Sequence, residues 1–218
     1  MQDELLEAFS ADALGPLATA VGRRLAESAA ARAAGAPGWW RTREAALLAV
    51  GTVSERLVEL AREAGGQPLA LDVPGLMDSV LRQDLQGGPA VPPFLAGRAL
   101  WLTARLAPAV PPTARPAFLA AAVAGLGPGV PPPVAIGACR VLAALCRGAA
   151  PAELAAASGA VFGGLCGLLG RADEDVLHLV LETLAAAVRA DPGGAAAWEP
   201  QIAESTLRIW VSNGEAPR

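Results

Sequence analysis

The run WWRTREAALLAVGTV, residues 39–53, places Ala46, Ala49, Val50 and Val53 at steps of three and four behind two adjacent tryptophans. That spacing puts all four on one stripe of a helix. The same apolar frame returns at Ala99, Leu102, Thr103 and Leu106, again at Ala138, Val141, Leu142 and Leu145, and again at Val180, Thr183, Leu184 and Ala187, at offsets of 53, 39 and 42 residues. Helical units recurring at about 40 to 47 residues mark HEAT and armadillo arrays, and two helices per copy favour HEAT. The expected fold is all-α: an α-solenoid of about four HEAT-type helical pairs forming one superhelical array over residues 1–218. The pairs are placed at 39–91, 92–130, 131–172 and 173–212, after a partial pair at 1–38 and before a tail at 213–218.

Outward from this frame, proline and glycine clusters cut an Ala-, Leu-, Glu- and Arg-rich chain with almost no strand signal into helical blocks. These fall at 12–34, 39–64, 73–86, 93–107, 113–126, 133–146, 152–170, 174–190 and 194–211, and the long first offset is assigned to a hinge around Gly65, Gly66 and Gln67. A lone helical hairpin cannot bury its apolar stripe, so neighbouring hairpins must stack. Alanine runs at 120–122, 155–157 and 185–187 are expected to let helices approach closely. Neither end carries a polar capping repeat, which predicts a section of a longer array or a chain docked at its ends.

With 53% hydrophobic and 17% charged residues the chain has material for a sizeable core. A net charge of -4 disfavours nucleic acid and permits a basic protein partner. The three cysteines, Cys139, Cys146 and Cys166, are odd in number, the first two lie two turns apart on one helix, and no signal peptide opens the chain, which together suggest a reducing, intracellular setting. The uncharged run 154–170 sits at the short limit for a membrane span and is closed by Glu153 and Arg171. The run 117–139 is broken by prolines, so no membrane insertion is expected.

No catalytic, cofactor-binding or metal-binding residue emerges. His178 is the only histidine, the cysteines occupy apolar helix faces, and there is no nucleophile–base set or phosphate-cradling glycine loop, so the chain is expected not to be an enzyme. Trp39 and Trp40, and with them Trp101, Trp198 and Trp210, are expected to pack rather than bind ligand. Acidic residues at Asp72, Asp78, Asp84, Asp173, Glu174, Asp175, Glu199 and Glu204 could line a concave face, although the run 173–175 equally suits a helix start.

The stretches QDELLEAF (2–9), WWRTREAALLAVGTV (39–53), PFLAGRALWLTARL (93–106) and EDVLHLVLETLAAAV (174–188), the last followed by Asp191–Pro192, resemble in order and spacing the importin-beta (karyopherin) superfamily of nuclear transport receptors, and within it the importin-9 group. The resemblance spans nearly the whole chain and covers a central slice of the family's longer superhelix, without the N-terminal repeats that hold Ran-GTP and without a long acidic loop. It implies a receptor that carries basic cargo such as histones and ribosomal proteins through the nuclear pore, contacts nucleoporins, releases the cargo when Ran-GTP engages it, and shuttles between cytoplasm and nucleus without cofactor. A HEAT scaffold that bridges proteins without a transport cycle is the alternative.

Overall fold

Helix ends in this chain are set by backbone chemistry that the sequence supplies directly. The first helix, α1 (Ala11–Ala33), stops where Gly35 takes a left-handed φ of +70°. Its N–H bonds Arg32 O at 3.0 Å while Ala36 N–H reaches back to Ala31 O at 2.9 Å, satisfying carbonyls that the helix leaves open. The computed structural model describes residues 11–87, 90–148 and 151–214, and the motif at 2–9 lies outside them. Over those residues the protein is all-helical, as expected, and no helix among them is long and apolar enough to cross a membrane.

The chain divides into two compact units between Ala114 and Arg115. In the first, α1 folds back on α2 (Trp39–Thr52), and α3 (Ser54–Glu63) follows after a break at Val53. Left-handed φ at both Gly65 and Gly66 then turns the chain at the expected hinge. Asp72 caps α4 (Val73–Val80) by accepting from Gly75 N–H at 2.9 Å, with Pro74 in the first turn. That helix widens into a π-turn at Leu81–Leu85 before α5 (Pro93–Arg105), and a 3₁₀ turn at Ala107–Ala109 closes the unit. Helix α2 is packed between α1 and α5, and α5 also rests on the π-turn.

The second unit holds α6 (Arg115–Ala124), α7 (Pro132–Gly148), the short α8 (Pro151–Ala155), α9 (Ser158–Leu169), α10 (Glu174–Ala190), α11 (Pro192–Ala197) and α12 (Glu199–Gly214). Helix α7 packs on α6 and α10, α10 packs on α9, and α9 also meets α6, α11 and α12. The four helices that carry the apolar frame thus stack side by side within each unit, α2 on α5 and α7 on α10. Of its two neighbours along the chain, each packs more on the segment before it than on the one after, α2 on α1, α5 on the π-turn, α7 on α6 and α10 on α9. The frame helix needs two apolar faces, one for the segment before it and one for the neighbouring frame helix.

Most frame residues form the core. Ala99, Leu102, Thr103, Leu106, Ala138, Val141, Leu142, Val180 and Thr183 are all inaccessible to solvent. The first copy differs: Ala49 and Val53 are half-buried, while Arg43 and Leu47 join Ala46 and Val50 inside, so its buried frame lies three residues earlier. Helix α2 ends at Thr52, and the frame shifts back with it.

Three expected blocks are split. The block 39–64 breaks at Val53, where Ser54 Oγ donates to Gly51 O at 2.8 Å and Arg105 Nε reaches the same carbonyl at 3.3 Å. The block 194–211 breaks at Trp198, whose ring lies where a side chain on Gly163 would stand, and 152–170 breaks between α8 and α9. Of the alanine runs, Ala122, Ala186 and Ala187 are buried, but Ala155 and Ala156 face solvent. The closest helix approaches use glycine instead: a Cβ on Gly125 would meet Ala138 Cβ at 2.7 Å.

Candidate functional site

The two tryptophans that open α2 are both half-buried and both under cations. Arg32 stacks 4.5 Å from the centre of the Trp39 ring and Arg41 stacks 5.7 Å from that of Trp40, while Ser28 Oγ donates to Trp39 O at 2.8 Å. The two contacts to Trp39 fasten the α1–α2 hairpin, while Arg41 covers Trp40 within α2. Trp101 lies across Gly51 with Arg98 at 4.8 Å and Arg105 at 5.8 Å, and Arg98 Nε donates to Glu44 Oε1 at 2.6 Å, so this tryptophan seals α5 to α2. Trp210 departs from the expected packing: it is 75% exposed and forms a solvent-facing stripe with Leu207 and Val211.

The eight acidic positions have different local surroundings. Asp72 caps α4, Asp78 pairs with Arg82, and Glu204 pairs with Arg208 at 2.8 Å. Asp84 is buried, with both carboxylate oxygens on Arg43 Nε at 2.7 and 2.9 Å, and Arg43 Nη2 reaches Ser79 Oγ at 3.2 Å. Burial pushes the Asp84 carboxyl above its ordinary value and the Arg43 hydrogen bonds pull it back. Asp173, Glu174, Asp175 and Glu199 are exposed and have no ion-pair partner among the described residues. Asp173 holds the N-cap position of α10 without a side-chain capping bond, and Glu174 and Asp175 stand in its first turn.

Two grooves follow the helix seams. One, of about 470 Å³, runs between α1 and α2 over Leu17, Val21, Ala45 and Ala49. The other, of about 490 Å³, runs between α7 and α10, where Cys146, Thr183 and Ala186 form the floor and Arg147, Glu182 and Arg189 the walls. Thr183 Oγ1 donates to Leu179 O at 2.7 Å and lies 3.3 Å from Cys139 O, bonding the two helices beneath the groove. Glu182 Oε1 lies 3.1 Å from His178 Nε2 one turn away, whereas Arg147 and Arg189 have no ion-pair partner among the described residues. The sequence reading passed over these arginines, although their signal was present in the i, i+7 spacing of Arg140 with Arg147 and of Glu182 with Arg189 along two stacked helices.

Cys139 and Cys146 are buried thiols whose pKa values burial pushes up to about 11, and burial also raises that of the half-buried Cys166. They occupy apolar faces as small hydrophobes. Among the described residues no three His, Cys, Asp or Glu side chains gather as a metal site. No protein-family model matches the chain.

Proposed function

We propose that this chain is a segment of a HEAT-type nuclear import receptor that holds basic protein cargo. The observation that carries the reading is the side-by-side stacking, within each unit, of the helices that share the apolar frame, each folded back on its predecessor. That is how one layer of a helical solenoid joins the next, and repetition of such layers produces long protein-binding surfaces. Three of the stretches on which the karyopherin resemblance rests, 39–53, 93–106 and 174–188, fall on three of the four frame helices. Basic cargo such as histones or ribosomal proteins would meet the acidic start of α10, where Asp173, Glu174 and Asp175 are exposed and have no ion-pair partner among the described residues. Release by Ran-GTP, passage through the pore and shuttling between cytoplasm and nucleus complete the proposal as properties of the receptor to which the segment belongs.

The test compares the native chain with the variant Asp173→Asn, Glu174→Gln, Asp175→Asn in a titration of labelled histone dimer. Neutralising three exposed carboxylates removes favourable terms of about 0.2–1 kcal/mol each, so affinity should fall several-fold. Equal affinity for both proteins would remove the acidic start of α10 from the cargo surface.

A further inference from the structure

The groove between α7 and α10 carries charge of the opposite sign from the cargo surface proposed above. Arg147 stands on one wall and Arg189 on the other, and neither guanidinium has an ion-pair partner among the described residues. Arg140 is exposed on α7 seven residues before Arg147, which places it on the same face and extends the basic track along the seam. All seventeen basic residues of the chain are arginines, and most of those on other faces are occupied: Arg56 by Glu59 and Glu63, Arg98 by Glu44, Arg115 by Glu153, and Arg43 by Asp84. Unsatisfied guanidinium forks on facing walls are suited to planar carboxylates, each able to take two parallel N–H bonds.

We propose that this groove binds an acidic peptide segment of a partner protein, with Asp or Glu carboxylates seated on Arg147 and Arg189 and the peptide's apolar atoms on the Cys146–Ala186 floor. The floor consists of the small side chains Cys146, Thr183 and Ala186 and the groove is about 490 Å³, enough for a few side chains rather than a folded surface. Glu182 stands in the same wall. With an overall charge of -4, the chain disfavours a phosphodiester backbone that would carry a charge at every nucleotide past that carboxylate. A peptide can place neutral residues opposite Glu182 and acidic ones opposite the arginines. The inference does not rest on the import reading, because it concerns a different surface and a partner of opposite charge.

The test is fluorescence anisotropy of a labelled Glu/Asp-rich peptide with interspersed leucines, titrated with the native chain, with Arg147→Glu/Arg189→Glu, and with Arg62→Glu/Arg82→Glu, which makes the same charge change on exposed helix surface in the other unit. The expected result is salt-sensitive binding to the native chain and to the second variant, weakened at least tenfold by the first. A peptide with Lys in place of each acid should bind the Arg147→Glu/Arg189→Glu protein better than the native one. Absence of binding to the native chain, equal losses in both variants, or tighter binding of a single-stranded RNA oligonucleotide than of the peptide would overturn the proposal. All four substituted positions are at the surface, and matching helical circular dichroism and melting curves identify any variant that has failed to fold.

Discussion

Arg43 on α2 and Asp84 on the π-turn, 41 residues apart, form an ion pair closed off from solvent, with Nε at 2.7 and 2.9 Å from the two carboxylate oxygens. It is the charged contact that joins the first frame helix to the segment leading into the second. Breaking such a pair from one side leaves the other charge buried, at about 3–5 kcal/mol, whereas replacing both partners with apolar residues of similar size is often neutral.

The two halves of the pair should therefore differ under mutation. Asp84→Leu leaves a guanidinium that cannot lose its proton, so its cost should be large and nearly independent of pH. Arg43→Met leaves a carboxyl that can take up a proton, so its cost should be smaller in acid and grow as pH rises. In the native chain the Asp84 carboxyl is held above its ordinary value. The folded state thus binds that proton more tightly than the unfolded one, a contribution fully present below the ordinary carboxylate range and lost as pH rises through the folded-state value. Urea titrations of both single variants and of Arg43→Met/Asp84→Leu across the acid-to-neutral range check this; a double variant as unstable as the sum of the singles would contradict it.

Gly51 and Trp101 define the α2–α5 seam, since a Cβ on Gly51 would fall 2.0 Å from the indole. Gly51→Ala should destabilise by about 1–3 kcal/mol through overpacking. In a Trp101→Ala background the same change should become nearly neutral, because the space it needs has been vacated. Additive effects in a double-mutant cycle would mean that the ring does not lie on the glycine.

Trp39 and Trp40 are half-buried, so neither should reach the loss of about 3–5 kcal/mol that truncating a fully buried tryptophan gives. Trp39→Ala should cost about 2 kcal/mol, with a part of about 0.5–1 kcal/mol traceable to Arg32 in a double-mutant cycle. The chemical denaturation midpoint is the readout. A change of a few tenths accompanied by lost partner binding would make the ring a contact surface instead.

The parts of this fold legible in the sequence are those fixed by local chemistry. The helices 39–52, 93–105, 132–148 and 174–190 announce themselves through apolar spacing bounded by Pro and Gly, and Gly65–Gly66 announces the turn. The breaks at Val53 and Trp198 carry only weak local marks, Ser54 on Gly51 O and Pro200 just past Trp198, and they are completed by partners far along the chain, Arg105 and Gly163. Arg43 is buried because Asp84 comes beside it from a turn 41 residues later, a pairing that local spacing does not show. Which carboxylates stay free is not legible either, because those on helices find arginines one turn away or across a seam.

Thiol reactivity should separate the cysteines. With pKa values pushed up to about 11, Cys139 and Cys146 hold only about one thiolate per thousand at pH 8 and are also buried, so iodoacetamide should reach Cys166 first. Alkylation should accelerate as pH rises. Mass spectrometry of a short labelling time course reads the order directly, and modification of Cys139 ahead of Cys166 in the folded protein would contradict the packing of α7 against α10.

The central claim is that the stacked helices form a cargo surface for basic proteins. Its most direct measurement is a titration of labelled histone dimer with this chain at low and at physiological ionic strength, about 0.15 M. The account predicts measurable binding at low salt, with a dissociation constant on the order of micromolar or weaker, that falls further at the higher ionic strength. No binding at low salt, or binding indifferent to salt, would contradict it and assign these helices the role of a spacer.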